Sequence, residues 1–485
     1  MILNRLLTIR VHWCPAVVNL SRLLLSALRF LRYPLFTAFL FMFSALVHAQ
    51  SGMLDTNTFN SGDGVDLSVR SIAIQTNGQI VIAGDFFSFN DTNRINLARL
   101  NPGGSLDVSF DPNAALDGYN PYVYSVAVQS NGQILVGGSF TNSAATNFAR
   151  LGTNGTLDAT FTTVADDTVN AVVIQTNGSI LIGGLFTHVN GRARTAIARV
   201  DSGGMLDLGF SPNISGGSSA LYALALQGDG KILIGGSFTN LNVTARTNFA
   251  RLNSDGTTDA GFKPVSVGGG QFSLPAFYAL AIDAQGRVVV GGDFASVNSL
   301  ARTNLARFNS DGSLDTNFSA GTDFPVTSIA AQSDGKILIG GYFNTVNGTA
   351  QNYIARLNSN GSLDADFNTG GTGASDVIYS IALQPDGKVL IGGAFTEYNS
   401  VTSYGIARLL NTVGGPPIFN PFFSNNVFGV SVSTIAGKSY VLQYKNALSD
   451  SMWSSLPAVA GDGTIKVLTD SSATVSRRFY RVQVQ

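Results

Sequence analysis

Cysteine is almost absent from this chain of 485 residues. The single copy, Cys14, lies in an N-terminal segment that reads as removable. An intramolecular disulfide is therefore excluded, and beyond that segment so are a thiol nucleophile and a cysteine ligand set. Histidine is nearly as scarce: His12, His48 and His188 are all there is. Past residue 49 only His188 remains, too few for a multi-histidine metal centre, and none of the usual histidine triads is expected. Charged residues make up 12% of the chain, with 29 basic against 30 acidic. That balance leaves no basic footprint for nucleic acid. From residue 50 onward no long stretch carries a helical period, and no apolar C-terminal tail suggests a membrane anchor.

The first 49 residues hold five arginines and no acid, followed by the apolar run 35–46 and then Val47-His48-Ala49. This order predicts a secretory signal peptide, cleaved between Ala49 and Gln50. The apolar run is short of the ~20 residues a membrane span requires, so cleavage is expected rather than anchoring. Cys14 precedes the run, which does not fit a lipoprotein signal. The long basic stretch leaves the true start codon open.

What is abundant is repetition. Seven near copies of Ala-Arg-Leu occur, and in six an aspartate follows the arginine after eight residues: Arg99/Asp107, Arg150/Asp158, Arg199/Asp207, Arg251/Asp259, Arg307/Asp315 and Arg356/Asp364. The seventh, Arg408, lacks its aspartate, whereas Leu54-Asp55 stands unpartnered before the first copy. The numbers match only if the chain closes into a ring with Arg408 beside Asp55. Alternating apolar and polar residues, with Asn-Gly or Asp-Gly turns such as Asn77-Gly78 and Asp386-Gly387, predict four short antiparallel strands per repeat. The second residue of a Gly-Gly or Ala-Gly pair recurs at 84, 138, 184, 236, 292, 341 and 393, a period of about 50 that belongs to propeller blades. Glycine inside a strand marks a bulge or a close backbone approach. The expected fold is all-β: a seven-bladed β-propeller over residues 50–411, closed by an N-terminal outer strand. The charged pairs read as structural.

The segments 384–395 and 406–409, with 309–315, resemble the bacterial delta-60 repeat, a β-propeller domain of unknown function in secreted and surface proteins. The resemblance covers roughly residues 54–411. It implies the fold and an extracytoplasmic setting and names no substrate. One repeat departs: between Phe140 and Arg150 the loop is three residues shorter than elsewhere, predicting a flatter sector.

Residues 412–417 read as a linker, and 418–485 as a small β-sandwich-like module with a hairpin at Asp462-Gly463. Trp453, the only tryptophan past residue 49, reads as core rather than as a sugar platform.

The tight turns fall on one face of the disc and the variable loops, including 111–122 and 263–276, on the other. Loops on a rigid scaffold carry function. An acid precedes the inner strand in four blades: Asp66, Asp166 with Asp167, Asp323 and Asp376. These are the candidates for a channel mouth that could hold calcium, against the alternative that they start turns. Asn90, Asn190, Asn242, Asn298, Asn347 and Asn399 recur in the second loop and read as turn formers. The Asn-Ser-Asp-Gly turns lack EF-hand spacing. Quinone-dependent propellers usually repeat tryptophan, which this chain does not. The functional expectation is a secreted, monomeric, non-catalytic binding or adhesion scaffold for an extracellular protein or carbohydrate, without an obligatory cofactor. The alternatives are a carbohydrate-active enzyme using channel-facing aspartates and a purely structural envelope protein.

Overall fold

The computed structural model describes residues 51–113, 121–141, 145–271, 274–411, 418–424, 427–434, 439–446, 452–462, 464–472 and 478–484. The expected signal peptide, the linker 412–417, Gly463 and parts of both long loops lie outside them. Among the described residues every regular element is a strand, and no helix is long and apolar enough to cross a membrane.

Seven three-stranded antiparallel sheets follow one another. Blade 1 consists of Val69–Ile74, Ile80–Gly84 and Leu97–Leu100. Blade 7 consists of Ile378–Leu383, Val389–Gly393 and Ile406–Leu409. The first hairpin is not a two-residue turn. Gly78 N donates to Gln75 O at 2.9 Å and Gln75 N to Gln79 O at 2.8 Å. Gly78 has φ of 83° while Asn77 is not left-handed, so glycine alone takes the left-handed position of a longer loop.

The expected fourth strand shrinks to a single bridge. Leu100 pairs with Leu106, Phe308 with Leu314, and Leu54 with Leu409. The reason is the aspartate that follows. Asp107 Oδ1 accepts from Ser109 N at 3.0 Å, Asp158 Oδ1 from Thr160 N at 3.0 Å and Asp315 Oδ1 from Asn317 N at 3.0 Å, bending the chain out of the ladder after one residue.

Each of the seven arginines makes three contacts at once. Arg251 Nε donates to Asp259 Oδ2 at 2.8 Å, its Nη1 donates to Ser310 O of the next blade at 2.6 Å, and its guanidinium lies 4.5 Å from the centroid of Phe262. Arg408 repeats this with Asp55 Oδ2 at 3.0 Å, Pro102 O at 2.8 Å and Phe59 at 4.8 Å. The pairs thus bind blade to blade, a role beyond the pairing read from sequence. Lys231, Lys336 and Lys388 add a second cation to Asp259, Asp364 and Asp55. Asp315 departs from that arrangement. It accepts from Arg307 Nε at 2.8 Å like the others, but Arg287 stands where those blades have lysine, and its Nη1 stays 3.9 Å away. Asp283 Oδ2 holds the Arg287 Nε at 2.7 Å and so draws that cation aside. Burial pushes Asp259 up, but the Lys231 and Arg251 hydrogen bonds outweigh it and bring its carboxyl down to about 2.

The apolar core is divided into seven clusters, one per blade interface. Leu233 and Phe249 of blade 4 pack with Phe277, Val288 and Val290 of blade 5. Leu390 and Ile406 of blade 7 pack with Val69, Ile80 and Ile82 of blade 1. The C-terminal strands form two small sheets of their own, one joining Ile418–Ser424, Val427–Ser433 and Ile465–Asp470, the other centred on Ser439–Lys445. Val430, Val432, Tyr440, Leu442 and Leu468 are buried there. Trp453 is only half-buried, with Lys445 Nζ 5.2 Å from its ring, so it is not the core residue expected.

Candidate functional site

The first strands of the blades pack against one another around the ring, and each carries a β-bulge near its start. In blade 1 Val69 pairs with Gly84 and Ser71 with Ala83, which leaves Arg70 unpaired. The same irregularity isolates Tyr124, Asn170, Tyr222, Tyr278, Thr327 and Tyr379 in the six other blades. A bulge inserts one extra residue and re-aims its side chain. Here the glycine pair makes room for it. A Cβ on Gly292 would sit 2.0 Å from the Ala276 carbonyl oxygen, the backbone that the bulge presses inward, while a Cβ on Gly291 would sit 2.6 Å from Val326 of the next blade. One glycine admits the bulge and the other admits the neighbouring blade.

All seven bulge residues, with Pro325 and Tyr342, line one cavity of about 560 Å³, a size suited to a small ligand. Tyr222 and Tyr278 meet edge to face with centroids 5.3 Å apart, and Tyr342 and Tyr379 do so at 6.1 Å. Burial, reinforced by Asp293, pushes the Tyr278 hydroxyl up to about 12. Burial and the Tyr342 hydrogen bond hold Tyr379 well above its ordinary value, and burial also raises Tyr124. These hydroxyls therefore stay neutral and can donate. Thr327 Oγ1 donates to Ile378 O at 2.7 Å and Asn170 Nδ2 to Leu221 O at 3.0 Å, so both are fixed by the next blade. Arg70 is half-buried between rings, 4.6 Å from Tyr379 and 5.5 Å from Tyr124, and its Nε donates to Asp85 Oδ1 at 2.5 Å. Burial opposes its charge, but Asp85 prevails and raises it further.

The five candidate acids do not line this cavity, and each is engaged locally. Asp66 Oδ1 accepts from Phe87 N at 2.8 Å and Ser88 N at 3.1 Å, and Asp323 Oδ1 from Asn344 N at 2.9 Å and Thr345 N at 2.8 Å. Asp166 accepts from Thr187 N and His188 N, both at 2.8 Å. Burial pushes Asp166 up, yet the Thr187 and His188 hydrogen bonds bring it to about 2. Asp167 takes Thr168 N at 2.6 Å and Asp376 takes Val377 N at 2.7 Å. Among the described residues no three His, Cys, Asp or Glu come together as a metal site. The acids cap backbone instead of converging, because each has bare N–H groups within reach. Arg307 and Asp315, like the other Arg-Asp pairs, also stand outside the cavity lining and serve the joints between blades.

The asparagine series does more than turn the chain. Asn242 is left-handed with φ of 48°, its Oδ1 accepts from Asn213 N at 2.8 Å, and its own N donates to Asn213 O at 2.9 Å. Asn90, Asn190, Asn298, Asn347 and Asn399 make the same Oδ1 contact with the loop that enters their own blade. The loop itself forms a miniature hairpin, such as Ser88–Phe89 with Thr92–Asn93. Blade 2 differs: Thr141 pairs directly with Thr146 across its shortened loop.

A search of curated protein sequences finds no match. Among solved structures the chain is similar to a catalytically inactive virginiamycin B lyase from Staphylococcus aureus, with 14% identity, 74% of this chain and 97% of that chain covered, and a TM-score of 0.44. It is also similar to YCF48 bound to a D1 peptide, at 13% identity, 76% and 100% coverage and TM-score 0.43. The extracellular domain of a putative hybrid two component system from B. thetaiotaomicron gives 13% identity, 87% and 54% coverage and TM-score 0.42. Seven segments, residues 75–110, 129–161, 175–210, 227–262, 285–318, 332–367 and 384–412, match the family described as "Domain of unknown function (DUF5122) beta-propeller". Seven matches in phase with seven blades identify this region as a β-propeller domain of unknown function.

Proposed function

We propose that this chain is an exported, non-catalytic propeller that binds saccharide in the tyrosine-lined mouth of its ring. The observation that carries the reading is the set of seven bulges, which brings one residue per blade, four tyrosines with Arg70, Asn170 and Thr327, into the lining of one cavity. Every lining residue except Pro325 presents a polar group, and five are tyrosines. Ring faces beside neutral hydroxyl donors suit sugars, which offer apolar C–H faces and many acceptors. No aspartate, glutamate or histidine lines the cavity among the described residues, which supports binding over hydrolysis. Export rests on the signal-like residues 1–49.

The test is a glycan array probed with the full chain and with Tyr222→Ala/Tyr278→Ala, followed by hydrolysis assays on each hit. Binding that is lost in the double variant, with no turnover, supports the reading. Turnover would move the chain to the carbohydrate-active enzymes, and binding indifferent to the double variant would move the site elsewhere.

A further inference from the structure

We propose that the mouth selects an acidic sugar, with Arg70 receiving the carboxylate of a uronate residue; this rests on the saccharide reading above. Of the seven bulge residues only Arg70 carries a charge. It is also held in place. Asp85 takes its Nε through Oδ1 and Ser68 Oγ through Oδ2 at 2.9 Å, and tyrosines flank the guanidinium on two sides. A blade-pinning role like that of the Ala-Arg-Leu arginines does not describe it. Those donate Nη1 to the next blade, whereas the two terminal nitrogens of Arg70 make no hydrogen bond to the described residues.

Two free, parallel N–H groups on a fixed plane match the two oxygens of a carboxylate. Because Asp85 and the rings already immobilise the side chain, little freedom remains to be lost on binding. Asp85 also offsets the charge of Arg70, so recognition depends on the direction of the donors more than on a net positive field. Five tyrosines line the same cavity, and a lone inorganic anion would leave them unused.

The test is calorimetric titration of the full chain with a galacturonate tetramer, its methyl ester and a neutral galactose tetramer. A peptide with a free C-terminal carboxylate is the fourth ligand. The free acid should bind about ten-fold tighter than its ester, as a charge-assisted hydrogen-bonding pair implies. Arg70→Lys, which keeps the charge but loses the fork, should abolish that preference while still binding the neutral tetramer. Arg70→Gln/Asp85→Asn, which leaves no orphan carboxylate, serves as the second variant and should behave alike, with near-ultraviolet circular dichroism reporting that both fold. Equal affinity for acid and ester, or a preference that survives in both variants, overturns the acidic-sugar assignment and leaves saccharide binding intact. Failure of every tetramer to bind removes the saccharide reading itself, and tightest binding of the peptide overturns both.

Discussion

At the scale of single residues, the arginines of the Ala-Arg-Leu copies and the bulge residues behave oppositely. Each arginine repeats one solution seven times, because every blade must grip the next in the same way, and that repetition makes the Arg-to-Asp spacing readable without a structure. Removing one partner leaves a buried charge. Arg307→Ala, which leaves Asp315 with no close cation, is therefore expected to cost about 3–5 kcal/mol, read from the denaturant midpoint against wild type. Asp55, Asp107, Asp158, Asp207, Asp259 and Asp364 titrate below their ordinary value of 3.8, Asp259 at about 2. The contribution of these six is complete above pH 3.8 and is lost as pH falls through the folded value. Thermal melts should stay level from pH 7 to 5 and drop steeply between about pH 4 and 2, and a melting temperature unchanged at pH 2.5 would contradict this. The regular Arg-to-Asp spacing hides one difference, since the second cation beside Asp55, Asp259 and Asp364 comes from the hairpin and not from the pair, while Asp107 and Asp158 take a glutamine there. Lys231 reaches Asp259 at 2.8 Å, whereas Arg287 stops 3.9 Å from Asp315 because Asp283 competes for it. The bulge residues escape a repeat-based reading for the converse reason: they share a register, and tyrosine recurs in four blades, but Arg70, Asn170 and Thr327 break the pattern. The available signal is that one position varies inside strands that otherwise agree.

At the scale of elements, the Gly-Gly pair links sequence to site. Its spacing announces a bulge or a close approach, and both occur, on successive residues. Gly292→Ala would drive a Cβ to 2.0 Å from a backbone oxygen that no rotamer can move aside. We expect it to destabilise the protein by about 1–3 kcal/mol, in the range of overpacked cores, and to weaken ligand binding by shifting Tyr278. Wild-type affinity in a folded Gly292→Ala protein would show that the bulge does not set the site. The acids Asp66, Asp166 and Asp323 are misplaced by a purely sequential view, since the hairpin N–H groups that claim them lie 21 and 22 residues away. The shrunken outer strand is a related case: an aspartate that turns its own backbone ends a ladder which an apolar pattern alone would prolong.

At the scale of the whole molecule, seven apolar clusters and seven Arg-Asp-Phe contacts form a cycle, with the segment around Asp55 lying against the end of blade 7. A chain lacking residues 50–60 is expected to lose one cooperative unfolding transition in favour of a lower, broader one in calorimetry, because Arg408 and Leu409 lose their partners. The cavity depends on the same cycle, for its wall takes at least one residue from every blade. Localising the ligand tests this account most directly: hydrogen exchange of the full chain with and without a saccharide from the array. Protection should appear at the starts of the first strands, around residues 70, 124, 170, 222, 278, 327 and 379. Protection confined to the tight-turn face or to the C-terminal strands would contradict a binding site at the mouth of the ring.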